Sequence, residues 1–212
     1  EIECPAVAVT NAFNTLVFTD NGTSTNQEIT GLGFQPDLIW TKARFSDQRY
    51  YIYDSVRGTY NYLSSNETAS EQNRTFGVEG IADGIRKIGN VWNRTQTDGI
   101  VAWNWKAGGT AVSNTDGTIT SQVSANVDAG FSIVSYTSQS SGTATVGHGL
   151  SSPPDMVIVK TTGVADSWRT YHSSLGEGFQ IFLNTTAAAG ATVNQWNNTS
   201  PTSSVFSLGT DN

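Results

Sequence analysis

The sequence predicts an all-β protein built as two tandem antiparallel β-sandwiches of Greek-key or jelly-roll type, and three observations carry that reading. Short runs rich in β-branched and aromatic residues are separated by turn signals such as Asp20-Asn21-Gly22, Asp83-Gly84, Asp98-Gly99 and Asp116-Gly117. No window sustains the 3.6-residue apolar period of an amphipathic helix. Residues 13–58 align without a gap to residues 131–176, an offset of 118 (131 minus 13). Solenoid units run only about 20 to 50 residues, so a repeat this long marks two copies of one domain. A single lectin-like sandwich formed by both halves is the alternative.

The repeat matches fall where turns and strands are expected. Phe18-Thr19 meets Tyr136-Thr137, and Gly31-Leu32 meets Gly149-Leu150. Pro36-Asp37 with Lys42 meets Pro154-Asp155 with Lys160, and Tyr53, Ser55 and Gly58 recur as Tyr171, Ser173 and Gly176. After a shift of two residues, Tyr62-Leu63 pairs with Phe182-Leu183, and Ile88-Gly89 resembles Leu208-Gly209. The strands expected in the first copy are 15–19, 37–44, 49–54 and 100–106, with Leu38 and Trp40 on one sheet face. Those of the second are 131–137, 155–161, 168–172 and 179–183. Only 67–73 has the composition of a short helix.

This divides the chain into an N-terminal arm or strand (1–12), a first sandwich (13–109), a linker rich in Gly, Thr, Ser and Asn (110–125), and a second sandwich (126–212). The second copy lacks a counterpart of Ile100-Val101-Ala102-Trp103-Asn104-Trp105, so its sheet is one strand short. An open strand edge is usually covered or paired. The apolar run Cys4-Pro5-Ala6-Val7-Ala8-Val9 lies outside the repeat and is a candidate to add there, donated by a neighbouring subunit.

Composition narrows the function classes. With 212 residues the chain can bury roughly 70% of its unfolded surface, enough for a sizeable core. Eighteen Asp and Glu oppose 11 Lys and Arg, a net charge of -7 with no basic stripe, which argues against nucleic acid as a partner. No apolar run approaches the ~18 residues of a membrane span, so no membrane insertion is expected. Glu1 rather than Met opens the sequence, which fits removal of a preceding segment. The lone Cys4 permits neither an internal disulfide nor a cysteine zinc site.

No motif points to a cofactor or a metal, and none to catalysis. A nucleophile needs a base within reach, and the only histidines, His148 and His172, sit in turn or strand contexts, His172 in the place of Asp54. A glycosidase needs two carboxylates across a cleft. The nearest candidates, Asp54, Glu67, Glu71 and Glu79, have no counterparts in the second copy. Asp37 and Asp155 do recur, each after a proline, which suits a side chain accepting backbone N–H groups.

Binding is the remaining chemistry. Trp40, Trp103, Trp105 and Trp168 fall in expected strands, where packing is their role. Trp92, followed by Asn93, and Trp196, followed by Asn197 and Asn198, lie in polar sequence. An indole face stacks on a sugar ring while neighbouring amides bond its hydroxyls, so these five residues are the candidate ligand site. Asn-x-Ser/Thr triplets begin at Asn21, Asn66, Asn73, Asn93, Asn184, Asn197 and Asn198, as a chain this rich in Asn and Thr produces by chance.

Four segments of the first copy carry a family likeness: Phe34-Gln35-Pro36-Asp37-Leu38-Ile39-Trp40-Thr41-Lys42, Asp54-Ser55-Val56-Arg57-Gly58, Leu63-Ser64-Ser65-Asn66, and Val101-Ala102-Trp103-Asn104-Trp105-Lys106-Ala107-Gly108-Gly109. The second copy adds Ala129-Gly130-Phe131-Ser132-Ile133-Val134, Gly147-His148-Gly149-Leu150 and Trp196-Asn197-Asn198-Thr199. These resemble an uncharacterised repeat domain family of tailed bacteriophages, found in tail-fibre and other virion appendage proteins. The resemblance implies a non-enzymatic module on the virion surface, outside the cell. Its implied partners are other virion or fibre subunits in a homo-oligomer, and a host-surface glycan met by its loops. A structural fibre or capsid-decoration block without receptor binding is the second reading.

Overall fold

A computed structural model describes residues 12–44, 50–92, 99–139 and 142–210. The arm residues 1–11, with the run Cys4 to Val9, and Asn93 lie outside the described residues. All described regular structure is β. The first repeat contributes β1 (Phe13–Thr19), β2 (Gln27–Thr30), β3 (Leu38–Ala43), β4 (Tyr51–Asp54), β5 (Asn61–Ser64), β6 (Gln72–Asn73), β7 (Gly77–Ile81), β8 (Gly84–Ile88) and β9 (Gly99–Trp105). Six of these form one antiparallel sheet in the order β1-β9-β3-β4-β5-β6, and three form a second sheet, β2-β8-β7.

Between the sheets lies a core that follows from alternation along the strands. Ile39 of β3, Tyr53 of β4, Tyr62 of β5, Val78 of β7, Ile85 of β8, and Ile100 and Ala102 of β9 are buried there, with Leu16 and Phe18 packed against them. Leu38 and Trp40, on the opposite face of β3, belong to a different cluster, as their shared register requires. A buried ion pair links the two sheets of this sandwich. Lys87 Nζ donates to Asp20 Oδ1 at 2.7 Å and to Thr23 O at 3.1 Å, tying the turn after β1 to β8.

The second repeat contributes β10 (Val112–Asn114), β11 (Ser121–Asn126), β12 (Phe131–Tyr136), β13 (Ala144–Gly147), β14 (Met156–Val159), β15 (Arg169–His172), β16 (Phe179–Phe182), β17 (Gly190–Ala191) and β18 (Val205–Leu208). They pair as β10-β11-β12, β13-β18 and β14-β15-β16-β17. Ile119, Ala144, Val146, Phe206 and Leu208 form a separate core. Every pairing between described strands joins strands of the same half.

Hydrogen bonds repeat at the same offset. Ser55 N donates to Asp37 O and Ser173 N to Asp155 O, both at 2.8 Å. Asn66 Oδ1 accepts Tyr50 N–H at 3.0 Å, and Asn184 Oδ1 accepts Trp168 N–H at 2.9 Å. Gly58 (φ 93°) and Gly176 (φ 79°) close equivalent turns in the left-handed region. In the turn after Asp54, its Oδ1 accepts Val56 N–H, and His172 Nδ1 does the same for Ser174. A histidine thus replaces a carboxylate as a turn acceptor.

Three expectations are corrected. Ile52 pairs with Leu63 and Thr170 with Ile181, so the ungapped register runs on through β5 and β16, and Leu63 corresponds to Ile181 rather than Leu183. The expected linker 110–125 holds β10 and most of β11, which join the sheet of β12. Its sparse apolar residues hide it: Val123 points inward, and the buried Ser121 and Ser124 are satisfied by Gly147 O and Gly109 O. The segment 67–73 is turn and short strand rather than helix, its last two residues pairing with β5.

The repeats dock through Trp168. This buried indole packs with Ile52, Leu63, Leu38 and Trp40 on the outer face of the first repeat's sheet. Its Nε1 lies 3.0 Å from Ser64 O and 3.2 Å from Glu67 O. Glu71 N–H to Thr162 O and Asp166 N–H to Thr68 O add two backbone bonds across the junction. Trp168→Ala removes both the packing and the shared N–H, and the expected cost is about 3–5 kcal/mol. Urea unfolding followed by tryptophan fluorescence should show one transition in the parent and two in the variant.

Candidate functional site

The candidate sugar platform is not on the surface. Trp92 is 0% and Trp196 2% exposed. After β8 the chain must cross to the other sheet, and Val91-Trp92 plugs that end of the core, with the indole 5.8 Å from the Phe18 ring and its N–H 3.4 Å from Thr41 Oγ1. Trp196 meets Tyr171 edge-on at 5.9 Å and donates to Phe179 O at 3.1 Å. A buried indole cannot stack on a ring in solvent, so the expectation that Trp92 or Trp196 presents a binding face fails. Asn197 and Asn198 are exposed, at φ 51° and 45°, where Asn is tolerated better than most residues. They shape the turn that drives Trp196 inward.

Three of the candidate carboxylates, Asp54, Glu71 and Glu79, are engaged in ion pairs. Arg57 Nε lies 2.5 Å from Asp54 Oδ2, its Nη1 3.0 Å from Glu71 Oε1, and its Nη2 donates to Ile52 O. Glu79 and Glu28 share Arg86. These contacts pin strands and turns together. Among the described residues no three His, Cys, Asp or Glu side chains cluster as metal ligands would.

What the fold does assemble is a groove of about 1370 Å³ where the repeats meet. Phe34 and Val56 of the first repeat, the Lys106–Gly109 segment, and Asn126 and Asp128 of the second line it. Gly108 makes the close approach possible: a Cβ there would stand 2.4 Å from Ala125 O. Gly108 N–H donates to Ser124 Oγ, which donates to Gly109 O, and Asn126 Nδ2 donates to Lys106 O. Asp37, at the groove wall, accepts Ala107 N–H through Oδ2 at 2.8 Å. The groove offers backbone amides, one ammonium (Lys106) and two carboxylates (Asp37 and Asp128) beside apolar side chains such as Phe34 and Val56. Nothing in the sequence marked it, because it arises from the approach of two segments of different repeats.

His148 is buried with both ring nitrogens used. Nδ1 accepts Leu150 N–H, and Nε2 lies 3.1 Å from Thr202 O, which fixes the neutral tautomer with the proton on Nε2. Burial holds its pKa below the ordinary imidazole value, outweighing the pull of Thr202 O and of Asp116. The neutral ring therefore contributes stability that is complete above the unfolded pKa of about 6.5 and is lost as pH falls through the lower folded value. Urea melts between about pH 7.5 and 5 should show stability declining on acidification, and His148→Gln should flatten that decline.

A family model described as a domain of unknown function (DUF7483) matches residues 9–212. No curated protein and no solved structure matches the chain.

Proposed function

We propose that this chain, which belongs to the DUF7483 family, is a non-catalytic building block of a virion appendage, its repeats docked in series on the outside of a tailed-phage particle. The observation that carries this reading is the junction itself. Aromatic residues that a binding module would present to solvent are spent on internal packing at Trp92 and Trp196, and Trp168 joins one repeat to the next. The appendage setting rests on the resemblance of the Pro36 to Lys42, Asp54 to Gly58 and Val101 to Gly109 segments to phage fibre domains. A surface low in charge, with 14% Asp, Glu, Lys and Arg over the whole chain, suits packing against sister subunits.

Host attachment is the second reading, and the junction groove favours it, since a cleft of that size with both apolar and polar walls accommodates a saccharide or a peptide loop. In that case Lys106 and Asp128 would meet the ligand. Immunogold electron microscopy of particles carrying this chain should place label along an appendage, and the purified protein should show no saturable adsorption to host cells. Label absent from particles would overturn the appendage reading, whereas saturable adsorption lost in Lys106→Ala would favour attachment.

A further inference from the structure

The two repeats differ most where the first is strongest. In repeat one, β9 lies between β1 and β3 and pairs with both: Trp105 stands opposite Phe13 on one side and Leu38 on the other, Trp103 opposite Thr15 and Trp40. In repeat two, β12 is the last strand of its sheet and β14 the first of its own, and among the described residues no strand joins them. Yet Val134 and Tyr136 of β12 and Val157 and Val159 of β14 converge on one core cluster, as Leu16, Phe18 and Ile39 do in repeat one.

The side chains around this gap are those that β9 covers in its own repeat. Ile39 and Thr41 are 2% and 0% exposed, whereas their counterparts Val157 and Val159 are only half-buried. On the outer face, Leu38 and Trp40 are half-buried, Trp40 lying 6.1 Å from Trp103 and 6.5 Å from Trp105 between ring centroids. Their counterparts Met156 and Ile158 are 51% and 42% exposed. Asp37 is buried and bonds the N–H of Ala107, two residues past β9, but its counterpart Asp155 is exposed.

We propose that the gap between β12 and β14 is a strand-acceptor site. Its occupant is an extended segment of the β9 type, supplied by polypeptide other than these 212 residues, antiparallel to both neighbours. Small apolar residues at the positions of Ile100 and Ala102 enter the core, aromatic residues at those of Trp103 and Trp105 cover Met156 and Ile158, and Asp155 accepts an N–H just beyond the strand. Two flanking edges give such a segment backbone bonds on both sides, the mode of strand addition doubled. The run Cys4 to Val9 of a second copy fits poorly: Pro5 has no N–H to give, and the run has no aromatic residue. The inference does not depend on the appendage reading.

A synthetic peptide with the sequence of residues 99–107, added to the full chain, tests this. Saturable binding is expected, with amide hydrogen-exchange protection gained in 131–136 and 156–159. Binding should weaken about tenfold in Asp155→Ala, a variant at an exposed position, and should vanish for a peptide carrying A102P. No saturable binding, protection elsewhere, or edges already protected without peptide would overturn the proposal. So would binding that appears only after residues 1–11 are deleted, which would make that terminus, of the same or a second copy, the occupant.

Discussion

A β-strand with a neighbour on each side spends its backbone N–H and C=O groups on its partners, and β9 does this between β1 and β3, joining the first strand of repeat one to the rest of its sheet. Its pairing with β1 and β3 turns two edges into a continuous sheet and puts Ile100 and Ala102 between the inward rows of both. The same strand sends Trp103 and Trp105 outward onto Trp40 and carries the chain into Gly108. Lys106 N–H still reaches Ala12 O beyond its end. Core, outer aromatic cluster and junction thus share one element, and the geometry of repeat two shows what its neighbours look like without it.

How much of this was legible in the sequence depended on whether a strand's inward row is apolar. β3, β9, β12 and β14 alternate or run apolar and stand near their expected positions. β8 and β11 carry polar inward residues whose partners are remote: Lys87 is held by Asp20, 67 residues away, and Ser121 by Gly147 O. Pattern reading cannot supply such partners, so these segments read as loop. The repeat was the stronger signal, because Asn66 and Asn184 or Gly58 and Gly176 keep identical duties without any periodicity to betray them.

The binding residues were misread for a related reason. Polar neighbours report where the backbone turns and say little about the side chain between them. Trp92 sits beside solvent-loving sequence because the chain passes from one sheet to the other there, and an indole, burying roughly 150–250 Å², closes that end of the core. The junction groove had no linear trace at all, since its walls come from segments as distant as Phe34 and Asp128.

Trp105 lies between two phenylalanines, Phe13 of its own repeat with ring centroids 4.8 Å apart and Phe131 of the next at 6.1 Å and 22° between planes. Phe13 and Phe131 are themselves counterparts, so a single indole is wedged between the same position of both repeats. Displacing either ring therefore disturbs the other, and the equivalent strands β1 and β12 are mechanically coupled to the end of β9.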